Sequence, residues 1–456
     1  MCSPEFTLKI GLLVLILRQK WEQVDFYSYI CSAKNTDIIM GKYRQIVDKL
    51  KDIADSKLGR IVVLSGARQV GKTTLVRSAM KDYQYLSIED PVGRDAYLSL
   101  TAQQWHQLYP QAALDEVQKS PRLVEGIKAA YDSYADVRYM LLGSSQFLLL
   151  EKVRESLAGR CVIVEMFPLT LPELLTHGWN DACGLSSFQQ LLANPKDGVA
   201  LLPSFVLDPR MAEIQQAWDF LTRFGGYPAL VDEQMTDEDR YLWLSNYVRT
   251  YLERDVRDLA NFRDLEPYAK LQRAVAAQTG QTYSLATLSR DAGVSAKTVQ
   301  RYLQYLVISY QALVLPAWDR NEGKRISKAP KVHMMDYGVL QAVLQKRGGM
   351  SGSEFESFVV TEMYKQSKNM LSSAKFHHLR THDGREVDLL VELPEGYLAF
   401  EIKQTQHVQP TDARHLRGLE EFLDKPLLHS YVISNDSRSW ELHPGITAVA
   451  AAALLS

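Results

Sequence analysis

The stretch RIVVLSGARQVGKTTLVRSAM, residues 60–80, passes from a β-branched run through a glycine-bearing loop into a helical pattern. The run suits a strand buried on both faces of a parallel sheet. Gly66-Ala67-Arg68-Gln69-Val70-Gly71-Lys72-Thr73 then fits G-x-x-x-x-G-K-[ST], and Leu75, Val76 and Ala79 follow at helical spacing. Glycines let the backbone curl so that its N–H groups point inward at a phosphate. The start of the helix adds partial positive charge. Lys72 is expected to reach the β- and γ-phosphates, Thr73 to offer a hydroxyl to Mg²⁺, and Thr74 to cap the α-phosphate. A chance glycine turn is the competing reading, and the flanking strand and helix argue against it.

Two further segments bear on the same site. AALDEVQKSP carries Asp115, expected to hold the metal through water, and Glu116, expected to polarise the attacking water. Pro110 and Gln111 shorten the strand before them, and an acidic pair opening a helix is the alternative. VRYMLLGSSQFLLL is a second apolar strand, ending at Ser144 and Ser145. Ser144 either reads the γ-phosphate or caps a helix. Arg160 follows in SLAGR, as an arginine finger across a subunit interface or as a structural residue.

The chain has 456 residues, 46% hydrophobic and 23% charged. That length suits roughly two to four domains of soluble globular character. A net charge of -2 excludes a polycation, so contact with nucleic acid would require local basic surfaces. Cys2, Cys31, Cys161 and Cys183 form no close pair, which fits a reducing cytoplasm rather than a zinc or disulfide framework. The apolar run IGLLVLIL at 10–17 is too short for a bilayer span, and Arg18, Lys20 and Trp21 follow it in place of a cleavage site. Residues 1–39 read as a poorly informative extension, with Met40 as an alternative start.

Beyond the nucleotide motif, 217–264 reads as a helical lid or connector in which Glu253, Arg254 and Asp255 pair on the surface. The segment 180–209, rich in Gly, Pro, Ser and Asn, reads as a loop or insertion. YSLATLSRDAGVSAKTVQRYLQYL reads as helix, Gly293 turn and second helix, with Ser295 as N-cap and Val299, Leu303 and Leu306 inward. A strand at 313–315 and the basic RNEGKRISKAPK complete a winged-helix pattern. Lys297, Arg301, Arg320, Lys324, Arg325 and Lys328 would then contact DNA phosphates; a packing domain is the alternative.

Near the end, REVDLLVELPEGYLAFEIKQT reads as a hairpin about Pro394-Glu395-Gly396. Strict alternation puts Val387, Leu389 and Val391 on one face, with Glu386 and Asp388 on the other. Asp388, Glu401 and Lys403 then meet: two carboxylates suited to Mg²⁺ beside a lysine that orients water, or a cross-strand ion cluster. Ser353 and Glu356 fit a capping box. His377, His378 and His382 read as surface or strand residues around a turn.

The order of GARQVGKTTL, LDEVQKSP, GSSQFLLL, ESLAGR, FPLTLPEL, FGGYPALV, YLERDV, KAPKVHMMDYGVL, FESFVVTEM and REVDLLVE resembles bacterial and archaeal AAA-type P-loop ATPases that end in a PD-(D/E)xK nuclease-like domain. The resemblance spans about residues 40–434. It implies an α/β chain: a parallel-sheet ATPase domain (40–215), a helical lid (216–268), a winged helix (269–346) and a restriction-endonuclease-like domain (347–456). It also implies ATP and Mg²⁺ as ligands, DNA as partner and a homo-oligomer. Glu356 would join Asp388 and Glu401 as a metal ligand, with Lys403 catalytic, although Val387 stands where that pattern often has proline. Active cleavage and a fold that binds DNA without cutting both remain open at this point.

Overall fold

The computed structural model describes residues 41–143, 156–196, 209–251, 256, 264–321, 323, 325, 328–381 and 384–456. Ser144, Ser145, Glu253, Arg254, Asp255, Lys324, His382 and residues 1–39 lie outside these. Among the described residues, no helix is long and apolar enough to cross a membrane.

The β-branched run forms β1 (Ile61–Gly66), buried at every position. With β2 (Gln84–Ser87), β3 (Gln111–Asp115), β4 (Arg138–Gly143) and β5 (Val162–Met166) it builds a sheet of order β2-β3-β4-β1-β5. Every pairing in it is parallel. Separate apolar clusters cover its two faces, one around Val62 and Leu64, the other around Ile61 and Val63. That is why these strands read as continuous apolar runs. β3 is short but fully integrated, so Pro110 trims the strand without displacing it.

In the middle of the chain, helices Leu285–Ala292 and Ala296–Ile308 are joined through Gly293 in the left-handed region (φ 69). Ser295 caps the second helix through Thr298 N at 3.2 Å. β6 (Gln281–Thr282), β7 (Ala312–Leu315) and β8 (Lys331–Met334) form a small antiparallel sheet of order β6-β8-β7. The preceding helical stretch is not continuous: Gly225 ends the helix Met211–Phe224, and a 3₁₀ turn at Pro228–Val231 follows.

The C-terminal sheet has order β13-β14-β12-β11-β10-β9. Its strands are β9 (Lys375–Arg380), β10 (Glu386–Glu392), β11 (Tyr397–Lys403), β12 (Leu427–Ser434), β13 (Trp440–His443) and β14 (Ile446–Ala450). The Pro394 turn closes an antiparallel β10–β11 hairpin, as its residues imply. Strict alternation fails, however. The β9–β10 register shifts between Val387 and Leu390. Val387 therefore joins Leu390 in one core, and Leu389 joins Val391 in another. A bulge inserts a residue and re-aims its neighbours, and Asp388 lies within it.

The helix Gly352–Asn369 is buried along most of its length and ties the C-terminal domain to the parallel-sheet domain. Glu362 accepts from Leu171 N at 2.7 Å. Gln366 accepts from Ser186 Oγ at 2.6 Å. Ser186 opens a helix, Ser187–Ala193, that buries Phe188, Leu191 and Leu192. The segment read as a loop thus contains a packed helix, because its N-cap and apolar spacing outweigh the loop-like composition around it. The capping box of Gly352–Asn369 is also displaced from its sequence reading. Ser351 and Glu354 form it, and Glu356 lies inside the helix and is free for another role.

Candidate functional sites

The loop from Gly66 to Gly71 links β1 to the helix Lys72–Ala79. A Cβ at Gly66 would lie 2.1 Å from the Met166 carbonyl oxygen, so only glycine fits there. Gly71 takes φ 95, a region that a side chain disfavours. Arg44 braces the loop from outside, donating to Val70 O at 2.7 Å while its Nε meets Glu173 at 3.1 Å. Lys72 is buried and donates to Gly66 O at 2.8 Å and Ala67 O at 2.7 Å. Its ammonium lies in the cradle that the loop encloses. Thr74 is exposed on the first helical turn.

Thr73 Oγ1 donates to Asp115 Oδ2 at 2.6 Å, and Tyr85 donates to the same oxygen at 2.7 Å. Burial, then Asp115, pushes the Tyr85 phenol up, so it stays a donor. Glu116 sits in the left-handed region (φ 60, ψ 38). A non-glycine residue there costs roughly 1–2 kcal/mol, and such strain gathers at functional sites. Its N–H donates to Asp115 Oδ1 at 3.0 Å, and its carboxylate accepts from Gln118. An ammonium, a hydroxyl and a carboxylate beside a glycine-bearing loop at a helix N-terminus fit a nucleotide with Mg²⁺. Arg160 pairs with Asp132 of its own chain at 2.9 Å, a solvent-screened surface contact that holds the side chain only weakly.

On the helix Ala296–Ile308, Lys297, Gln300, Arg301 and Gln304 are exposed, opposite the buried Val299, Leu303 and Leu306. Two arginines expected on the same surface are engaged elsewhere. Arg320 donates to Leu423 O at 2.8 Å, and Arg325 lies 3.5 Å from Glu392 and 3.7 Å from Asp424. Both hold the C-terminal domain, because its carbonyls and carboxylates supply the partners that a free arginine would seek in phosphate. Lys328 pairs with Asp319 at 2.8 Å.

The acidic cluster assembles with an addition that the hairpin alone did not reveal. Lys331, 2% exposed on β8, sends its ammonium between the carboxylates. It lies 2.8 Å from Glu356, 3.0 Å from Glu386 and 3.4 Å from Asp388. Asp388 Oδ2 accepts from Ile402 N at 2.9 Å, and Lys403 donates to Glu401 Oε1 at 2.6 Å. Burial, then Asp388, pushes Glu356 up to about 8 and Glu401 up to about 7. Burial opposes the Lys331 charge, yet Glu356, Asp388 and Glu386 hold its pKa above the ordinary value. Among the described residues no group of three or more His, Cys, Asp and Glu is arranged to hold a metal ion. Glu356, Asp388 and Glu401 therefore do not fit a divalent cation as they stand, because an ammonium lies among them. His377 and His378 are buried strand residues, not surface ones.

Sequence reasoning passed over Lys331, Tyr310 and Arg44. A lysine on the short apolar strand KVHM was the one available signal for Lys331. Tyr310 donates to Ser65 Oγ at 3.1 Å, immediately before Gly66.

Residues 58–175 match the AAA domain family. Residues 215–348 and 351–454 match two domains of unknown function, DUF8612 and DUF4143. Uncharacterized proteins of Mycobacterium tuberculosis and Mycobacterium bovis are each 28% identical over 413 residues, covering 87% of this chain and 81% of theirs. The Walker-type ATPase of Pyrococcus abyssi is 16% identical, covers 67% of this chain and 99% of that chain, and has a TM-score of 0.42. Drosophila ORC bound to DNA is 13% identical, covers 66% of this chain and 85% of that chain, and has a TM-score of 0.21. With its all-parallel sheet, its glycine cradle and the Thr73–Asp115 pair inside the matched span, the chain carries an AAA-type P-loop ATPase domain.

Proposed function

We propose that this chain is a cytoplasmic, Mg²⁺-dependent ATPase that binds and remodels DNA through its middle and C-terminal domains. The observation that carries the ATPase reading is the Thr73 Oγ1–Asp115 Oδ2 contact at 2.6 Å, beside Lys72 in its cradle. When bound, Mg²⁺ neutralises charge on the phosphate oxygens. Thr73 and Asp115 would hold it. Lys72 exchanges its bonds to Gly66 and Ala67 for the phosphates, and the loop N–H groups orient them. Glu116 accepts a proton from the attacking water as it lines up with the γ-phosphorus.

The DNA part of the reading is supported by the exposed Lys297, Gln300, Arg301 and Gln304 on the second helix of a winged-helix-like arrangement. Assembly into a homo-oligomer belongs to the same proposal, with Arg160 leaving Asp132 to reach a neighbouring nucleotide. ATP hydrolysis with Mg²⁺, measured with and without duplex, single-stranded and four-way-junction DNA, tests it alongside Lys72→Ala. Stimulation by one DNA form, lost in Lys72→Ala, is expected. Turnover indifferent to every DNA form would overturn the DNA reading.

A second reading is favoured by Lys331 among the carboxylates. The nuclease-like domain would only bind DNA or a partner, and ATP binding would set its state. Nucleotide would then change partner affinity with negligible turnover.

A further inference from the structure

Lys331 and His333 share a face of β8 because strand side chains alternate. That face meets the helix Gly352–Asn369 and the bulged strand β10. A lysine ammonium has three donors, and Lys331 lies 2.8, 3.0 and 3.4 Å from Glu356, Glu386 and Asp388. Its donors are therefore fully committed to the cluster.

Asp388 and Glu401 are engaged by further donors as well. The second oxygen of Asp388 serves the Ile402 N–H, and Glu401 Oε1 serves Lys403. Among the described carboxylate oxygens of this cluster, Glu401 Oε2 is the one that is buried without a hydrogen-bond partner. A divalent ion needs oxygen ligands at about 2.0–2.6 Å. To gain Glu356 and Asp388 as ligands it would have to stand beside the ammonium, where charges of like sign repel. Ammonium and metal are thus alternatives.

We propose that Lys331 is the resident cation of this acidic cluster, and that Mg²⁺ or Mn²⁺ binds there only when the lysine is removed. The inference rests on the cluster alone and stands whether or not the P-loop hydrolyses ATP. The lysine comes from the middle domain and the acids from the C-terminal domain, so the pair also joins the two.

Mn²⁺ binding to the full chain without nucleotide tests this, read by electron paramagnetic resonance. Wild type is expected to show no Mn²⁺ site that depends on Asp388. Lys331→Met should gain one site, with Mn²⁺ bound at least about tenfold more tightly than by wild type. That site should vanish in Lys331→Met combined with Asp388→Asn, and Lys331→Arg should not gain it. If Lys331→Met folds weakly, recovery of its melting temperature by Mn²⁺, but not by K⁺ at matched ionic strength, reads the same gain. A wild-type site lost in Asp388→Asn would overturn the proposal. So would a Lys331→Met protein that neither binds Mn²⁺ nor is stabilised by it. Lys72→Ala should leave every result unchanged, which separates this test from that of the ATPase.

Discussion

Tyr310 donates its hydroxyl to Ser65 Oγ at 3.1 Å, joining the middle domain to the residue before the P-loop. Tyr310 is buried and meets the Phe167 ring edge-on at 5.4 Å. It follows the helix that carries Lys297 and Arg301, so a change at the cradle has a short route to that helix. Tyr310→Phe should cost about 1 kcal/mol of stability. ATP affinity should stay within about threefold while DNA stimulation of turnover falls. Equal stimulation in mutant and wild type would rule out this route.

Lys72→Ala and Glu116→Gln should separate binding from chemistry. The first removes the ammonium and should abolish turnover together with much of the ATP affinity. The second should retain ATP and lower kcat by about 10²–10⁴, the usual worth of a positioned base. Equilibrium binding of a labelled ATP analogue beside single-turnover hydrolysis checks both. A Glu116→Gln enzyme of near-normal rate would remove Glu116 from the mechanism.

Lys297, Arg301, Arg320 and Arg325 of the middle domain should divide into two classes. Lys297→Glu and Arg301→Glu should weaken duplex binding and each reduce the salt slope by about one. Arg320→Ala and Arg325→Ala should instead lower the melting temperature, because they release the C-terminal domain, and should leave the salt slope nearly intact. Fluorescence anisotropy across a salt series, with thermal melts, distinguishes the classes. A loss of slope in Arg325→Ala would reverse the assignment.

Acid should loosen the joint between the domains. Burial, then Lys331 and His378, pushes His333 down to about 3. Burial also pushes His377 and His378 down to about 4. Lys331, Arg325 and Lys375 oppose new positive charge there, while Glu386 and Glu392 favour it. A folded pKa below the unfolded 6.5 gives stability that is full above 6.5 and is lost as pH falls towards 3. His333 alone should withdraw about 2 kcal/mol between pH 7.5 and 5. Glu356 and Glu401 act in the opposite sense and are common to both proteins compared. Denaturant unfolding at pH 7.5 and 5 should therefore show a smaller loss in His333→Leu than in wild type. Equal losses would mean that His333 is not the sensor.

The P-loop was legible because its chemistry is local: two glycines, a lysine and a hydroxyl within one turn of chain. The hairpin was legible for the same reason, down to its turn. What sequence could not supply was the company these residues keep. Lys331 meets Glu356, Glu386 and Asp388 only once two domains pack. Alternation along β10 failed because the bulge depends on its pairing with β9. Arg320 and Arg325 looked like phosphate contacts, since their partners lie about seventy to one hundred residues further on. Ser351 replaced Ser353 as the cap because both positions satisfy the same short pattern, and one residue pair cannot choose between them.

The carboxylate of Glu362, seated on the Leu171 N–H at 2.7 Å, bears on how this chain tolerates truncation. Gly348 and Gly349 are exposed, so a protease could nick the chain there. The severed halves would stay together, held by Glu362, Gln366 and the apolar wall between them. A chain that stopped at Met350 would leave Leu171 without its acceptor and Phe188 without cover. A nonsense mutation between Met350 and Glu362 would thus destabilise the nucleotide-binding half itself, and the two halves would be expected to complement each other when expressed as separate pieces.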